Sequence, residues 1–216
     1  MPTLNSTYYD TLSLTYESAF AHDTVLDNGC GTGKPVLSTL HSLGHDVMGL
    51  DLSPAMVEKA KKNVPRGRFV VGDMRGFEYH GNKGQEGQEE GGKLDAIFAV
   101  LSLFPFTREE ISSLVLKWTR WLGVGGLLCI CTLTVDNMPK ESLRAGYGGD
   151  GLCVQGITSR FMGEEIICTC LTKEGWRVLL RGMGFEIVDE RTDSFIPPKW
   201  AECDPESHFF VIASKV

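Results

Sequence analysis

Basic charge is what this chain has least of. Lys and Arg number 21 against 28 Asp and Glu, a net charge of -7 over 216 residues. Binding to nucleic acid draws on a clustered cationic excess, so no nucleic-acid partner is expected. The basic clusters, Lys59, Lys61 and Lys62 and then Arg66 and Arg68, read as the wet face and end of a helix. No run of ~18 apolar residues exists, so no membrane-spanning helix and no membrane partner are expected. The opening MPTLNSTYYD has neither the basic nor the apolar segment of a signal peptide. Seven cysteines form an odd set without a regular framework, which fits a reducing compartment, so a cytoplasmic location is expected. Cys129/Cys131 and Cys168/Cys170 have C-x-C spacing, which on a strand places both thiols on one face. No His or Cys pair completes a zinc set, and no metal is expected.

Residues 24 to about 134 alternate strand and helix, as in a parallel sheet covered on both faces. Strands are predicted at 24–28, 46–51, 68–71, 94–103 and 127–133. Helices are predicted at 35–43, after Ser53 as N-cap with Pro54 at the first helical position, and after Thr107, where Glu110 completes a capping box. Met56, Val57 and Ala60 are predicted to line the inner face of the second helix. Ile111, Leu114, Val115, Trp118, Trp121 and Leu122 point inward from the third.

Two stretches break the alternation. GNKGQEGQEEGGK (81–93) has no apolar residue and reads as a surface loop. Residues 135–171 hold a glycine-rich stretch and two β-like runs, 154–162 and 165–171, and read as an inserted flap. A helix after Thr172, carrying Trp176 to the core, and closing strands at 185–188 and 208–213 complete the chain. The whole, 1–216, reads as one α/β domain with an antiparallel hairpin at one sheet edge.

Chemistry gathers at strand ends. Val25-Leu26-Asp27-Asn28 runs into Gly29-Cys30-Gly31-Thr32-Gly33, a turn where glycine admits positive φ and lets a ligand approach the backbone. A phosphate-binding P-loop fails here, because Asn28 stands where its first Gly belongs and Pro35 replaces its Ser or Thr. The dinucleotide fingerprint is weakened, not excluded, by Lys34 in place of its third Gly. Asp51, ending the second strand, can accept bonds from both ribose hydroxyls of a nucleoside. Asp73, ending the third, can accept from an adenine amino group while Met74 lies against the base. Three strand ends in succession fit an adenosyl group.

The chain resembles the class I S-adenosylmethionine-dependent methyltransferases, in their small-molecule branch. VLDNGCGTG (25–33), VMGLDLSPAMVEKAKK (47–62), VVGDM (70–74), LDAIFAVLSLF (94–104), WLGVGGLL (121–128), GWRVLLRGMGFEIV (175–188) and HFFVIASK (208–215) carry the resemblance. It implies a Rossmann-like, mostly parallel seven-stranded sheet, with S-adenosyl-L-methionine as cofactor and a small-molecule methyl acceptor. It also implies that Gly29, Cys30 and Gly31 back the methionine part and Asp51 holds the ribose. Leu52 and Met56 would lie beside the adenine, Asp73 and Met74 would hold the base, and the Ala99 carbonyl would meet the cofactor's amino group. Tyr16 matches a family position that reaches the cofactor. Three departures stand out. Asn28 replaces an apolar residue, Pro105 stands where His often follows the aromatic residue, and Asp23 runs almost directly into the first strand where the family has a further helix.

The acceptor side is less determined. Tyr9, Tyr147, Arg160, Phe161, Met162, Glu164 and His208 are its candidates, and His208 is the candidate base. Two other functions keep a place: a cofactor-binding protein of this fold without transfer activity (a partner protein or pericyclase-like), and an NAD-linked oxidoreductase, which Lys34 and Asp73-Met74 disfavour.

Overall fold

The computed structural model describes residues 23–81, 92–138, 143 and 146–216. Tyr9, Tyr16 and most of the 81–93 loop lie outside them. The elements in chain order are β1 (Thr24–Asn28), α1 (Val36–Ser42), β2 (Asp46–Asp51), α2 (Pro54–Asn63), β3 (Arg68–Val71), β4 (Leu94–Val100), α3 (Arg108–Trp121), β5 (Leu122–Leu133), β6 (Cys153–Phe161), β7 (Glu164–Leu171), α4 (Lys173–Gly182), β8 (Phe185–Phe195) and β9 (Glu206–Lys215).

Seven strands form one sheet in the order β3-β2-β1-β4-β5-β9-β8. β1 to β5 run parallel to one another, and β9 is antiparallel to both β5 and β8. The chain therefore steps outward from β1 to β3, then returns to start β4 on the other side of β1. That reversal opens a crevice at the carboxyl ends of the strands, where open α/β sheets place their ligands. β6 and β7 form the separate antiparallel hairpin.

Helices cover both faces. On one, Leu37 of α1 and Val64 at the end of α2 pack with Cys30 and Val47. On the other, Trp118 and Trp121 of α3 and Trp176 and Leu180 of α4 join Leu26, Ile97, Leu128, Phe209 and Val211 in the main core. Trp118, Trp121 and Trp176 are buried, as their helical spacing predicts, whereas Trp200 is exposed. The caps also form as read: Ser53 Oγ accepts from Met56 N, and Thr107 and Glu110 make the reciprocal capping box. No helix among the described residues is long and apolar enough to cross a membrane.

Several boundaries differ from the sequence reading. β4 ends at Val100, not at 103, because Leu101 turns the chain with φ +50°. β5 starts at Leu122 directly from α3 and reaches its regular pairing after a shift between Leu94 and Ala96 of β4. β8 extends to Phe195, far past 188. Its outward residues are charged, as on an edge strand, and pairing with β9 carries it through a stretch that apolar patterning skips. Met56 lies on the wet side of α2, 40% exposed, while Val57 and Ala60 face inward.

Candidate functional site

The turn after β1 is bent by glycine and pinned to β2. Gly29, Gly31 and Gly33 have φ of +84°, +52° and +75°, the left-handed region that residues with a Cβ avoid. At Gly29 a Cβ would also stand 2.3 Å from that of Ser102. The amides of Gly29 and Cys30 both donate to the Leu50 carbonyl, at 2.7 and 3.0 Å. From the other side, Asn63 Nδ2 at the end of α2 donates to the Thr32 carbonyl at 2.8 Å.

Asp51 is held just as firmly. Its Oδ2 accepts from Gly31 N and its Oδ1 from Ser53 N, each at 2.8 Å. A carboxylate offers about four lone-pair sites, so two hydroxyl donors can still be met. Asp73 is differently placed: both its oxygens accept from Arg75, the shortest contact being 2.6 Å. That ion pair lowers the Asp73 pKa, with the hydrogen bonds to the guanidinium as the main cause. Arg75 also donates to Glu110 at 2.9 Å, and its guanidinium lies over the Phe106 ring.

A cavity of about 390 Å³ opens over these strand ends, within the range of small-ligand sites. Gly29, Asp51, Leu52, Asp73 and Met74 all line it, so the structure brings five of the expected residues together. Leu52 hangs over its rim, 70% exposed. Gly31 serves through its amide on Asp51. Cys30 packs its side chain into the α1 cluster instead. Met56 is not among the lining residues, and neither is Ala99, which lies fully buried within β4. Leu101 and Ser102 line the cavity where β4 gives out.

Two residues that the sequence reading passed over matter here. Asp27 is 3% exposed, with Oδ1 lacking a partner among the described residues. Burial first, and then the charge of Asp51, push its pKa up to about 7. Ser102 Oγ donates to the Asn28 carbonyl at 2.7 Å and so ties the end of β4 to the glycine turn. The available signal was the same for both, a polar side chain interrupting an apolar strand run. Asn28 itself is fully buried with neither amide atom partnered among the described residues.

His208 sits elsewhere along the same sheet edge. It lies opposite Leu133 of β5 and Asp193 of β8. Its Nε2 is 2.6 Å from Glu206 Oε2, and its ring stacks on Phe195. Tyr147, Phe161 and Met162 are exposed on or beside the hairpin. Cys129, Cys131, Cys168 and Cys170 are pushed upward in pKa by burial, which keeps them as unreactive thiols.

Residues 25–126 match the model of a methyltransferase domain family. A dTDP-3-amino-3,4,6-trideoxy-alpha-D-glucopyranose N,N-dimethyltransferase of Streptomyces venezuelae is 29% identical over 109 residues, 50% of this chain and 41% of that protein. The chain spans less than half the length of the curated relatives it matches. Among solved structures, a SAM-dependent methyltransferase of Methanosarcina mazei superimposes with a TM-score of 0.67 at 19% identity, covering 94% of this chain and 97% of that one. A SAM-bound amino pentose methyltransferase of Micromonospora echinaspora gives 0.58 at 19% identity, covering 100% and 93%. Both share the fold.

Proposed function

We propose that this chain is a class I S-adenosylmethionine-dependent methyltransferase, a reading supported by the match of residues 25–126 to a methyltransferase domain family, and that it binds S-adenosyl-L-methionine in the cavity over β1–β4 and passes its methyl group to a small molecule. The observation that carries this reading is the convergence of a glycine turn, Asp51 and Asp73-Met74 on one crevice.

The residues fit an adenosyl group one by one. Asp51 is fixed by two backbone amides and keeps acceptor capacity for a ribose diol. Met74, buried beneath the cavity, offers a polarizable sulfur to a flat base. Asp73 would share its acceptors between Arg75 and an adenine amino group. The bare backbone at Gly29 lets a ligand lie directly on the turn. Asp27 is buried below it with its carboxyl pKa pushed up to about 7, and a cationic ligand above would favour its charged form. When bound, the cofactor supplies a methyl carbon made electrophilic by the sulfonium. The chain's own task is to hold an acceptor atom about 3–3.5 Å from that carbon, in line with the bond that breaks, and to exclude water.

The acidic balance of the chain favours a small acceptor over nucleic acid. The names of two similar proteins, a sugar dimethyltransferase and an amino pentose methyltransferase, support the same class. The cysteine set supports a cytoplasmic setting. The test is transfer itself. Protein incubated with methyl-labelled cofactor and a metabolite extract should place label in a new small molecule. Cofactor binding without any labelled product would instead support the non-transferring alternative.

A further inference from the structure

A second cavity, of about 340 Å³, lies at the carboxyl end of β5. Leu133, Thr134, Ile157, Ser159, Asp204 and Glu206 are among its walls. It shares no lining residue with the first, but both lie at carboxyl ends of neighbouring strands. Leu101, on the rim of the first cavity, donates its amide to the Cys131 carbonyl at 2.8 Å; Leu133 ends that strand and Thr134 follows it. Neighbouring strands lie ~4.8 Å apart, so the second cavity begins about one strand over from the first.

Its walls are fixed in advance. The hairpin is bonded to the loop before β9: Arg160 N donates to Asp204 Oδ2 at 2.7 Å, Asp204 N to the Arg160 carbonyl at 2.9 Å, and Gly163 N to the Glu202 carbonyl at 3.1 Å. Thr134, one of the lining residues, is 1% exposed, and its hydroxyl has no hydrogen-bond partner among the described residues. A buried hydroxyl left unpaired costs free energy, and a ligand atom in the cavity would remove that cost. The charge is one-sided. Among the described residues, Asp204 accepts from two neutral groups, Ser159 Oγ and Arg160 N. Glu206 has as partner His208, which is charged only when protonated. No Lys or Arg is among the lining residues.

We propose that this second cavity receives the methyl acceptor and that the acceptor is an amine, its protonated nitrogen bound by Glu206 and Asp204 and a second polar atom bonded to Thr134. The inference rests on the methyl-transfer reading above. An anionic acceptor would meet two carboxylates, whereas an ammonium neutralises them. An ammonium has no lone pair, so a proton must leave before attack. Glu206 Oε2 and His208 Nε2, 2.6 Å apart, take up that proton between them. The nitrogen lone pair then forms the new N–C bond. The C–S bond breaks with its electron pair going to sulfur, so the sulfonium becomes a neutral thioether and the product a methylated ammonium.

Three probes of one ring size test this: glucosamine, glucose and glucuronic acid, titrated into protein saturated with S-adenosylhomocysteine. The amine should bind about tenfold more tightly than the acid, with glucose between them. Glu206→Gln and Asp204→Asn should each shrink that preference, and the second variant serves if the first does not fold. Glucuronic acid binding as well as glucosamine, or no detectable glucosamine binding, would overturn the proposal. Failure of S-adenosylhomocysteine to bind in the preceding titration would instead remove the methyl-transfer reading, and this inference with it.

Discussion

Asp27 shows how much a single buried side chain can report. Its carboxyl is pushed up from 3.8 to about 7, by burial first and the Asp51 charge second. The native chain thus keeps a proton that the unfolded chain sheds. The stability linked to that proton is complete below about pH 3.8 and is lost as pH rises through about 7. Thermal unfolding between those limits should therefore show Asp27→Asn gaining on the parent as pH rises, then holding a constant lead. A pH-independent difference between the two would contradict the assignment. Asp51 acts on the ligand: Asp51→Ala should weaken adenosyl binding by about 1.5–3 kcal/mol, the worth of hydrogen bonds to a charged group. Calorimetric titration of the variant with S-adenosylhomocysteine checks this, and unchanged affinity would refute the ribose role. Gly29 and Asp51 were legible because their meaning is local, a strand running into a turn and an acid at a strand tip. Asp27 and Ser102 were not. Their weight depends on which face of β1 is buried and on what stands 2.3 Å from a missing Cβ, and only the assembled sheet sets those.

The elements around the site are braced by α3. Lys117 Nζ donates to the carbonyls of Met74, Arg75 and Phe77 at 2.7, 3.0 and 2.8 Å. Glu110 in the first turn of the same helix holds Arg75, and through it Asp73. One helix thus clamps the whole turn after β3 from two points. Lys117→Met keeps the aliphatic stem but strips three carbonyls of their donor. At about 1–3 kcal/mol for a buried group left unsatisfied, it should lower stability by roughly 2 kcal/mol or more in urea unfolding. A change under about 0.5 kcal/mol would show that water replaces the ammonium at no cost. Helix ends were legible for a related reason: capping at Ser53-Pro54 and Thr107-Glu110 is written in adjacent residues. Strand ends were harder. β4 stops where Leu101 takes a positive φ, and β8 persists through Asp189, Glu190 and Arg191 because β9 pairs with it. Neither cause lies in the local apolar pattern. Met56 was misplaced because a three-residue apolar cluster was assigned wholly to one helix face.

For the molecule as a whole, the sheet order places two cavities side by side along one edge. The first lies where the strand order reverses beside β1, and the second at the junction of β5 with β9. The alternation of strand and helix made the parallel sheet legible, while the order of its strands comes from the structure. The second cavity was not legible, because it forms only when the hairpin is bonded to the 202–204 loop. A ligand that binds only the native state must also stabilise it, by about 2.7 kcal/mol at a hundredfold excess over Kd. Isothermal titration with S-adenosylhomocysteine is the most direct test of the whole account. One equivalent should bind with a Kd in roughly the micromolar range, and the melting temperature should rise as ligand is added. No heat and no shift at about millimolar ligand would mean that the crevice over β1–β4 holds no adenosyl group.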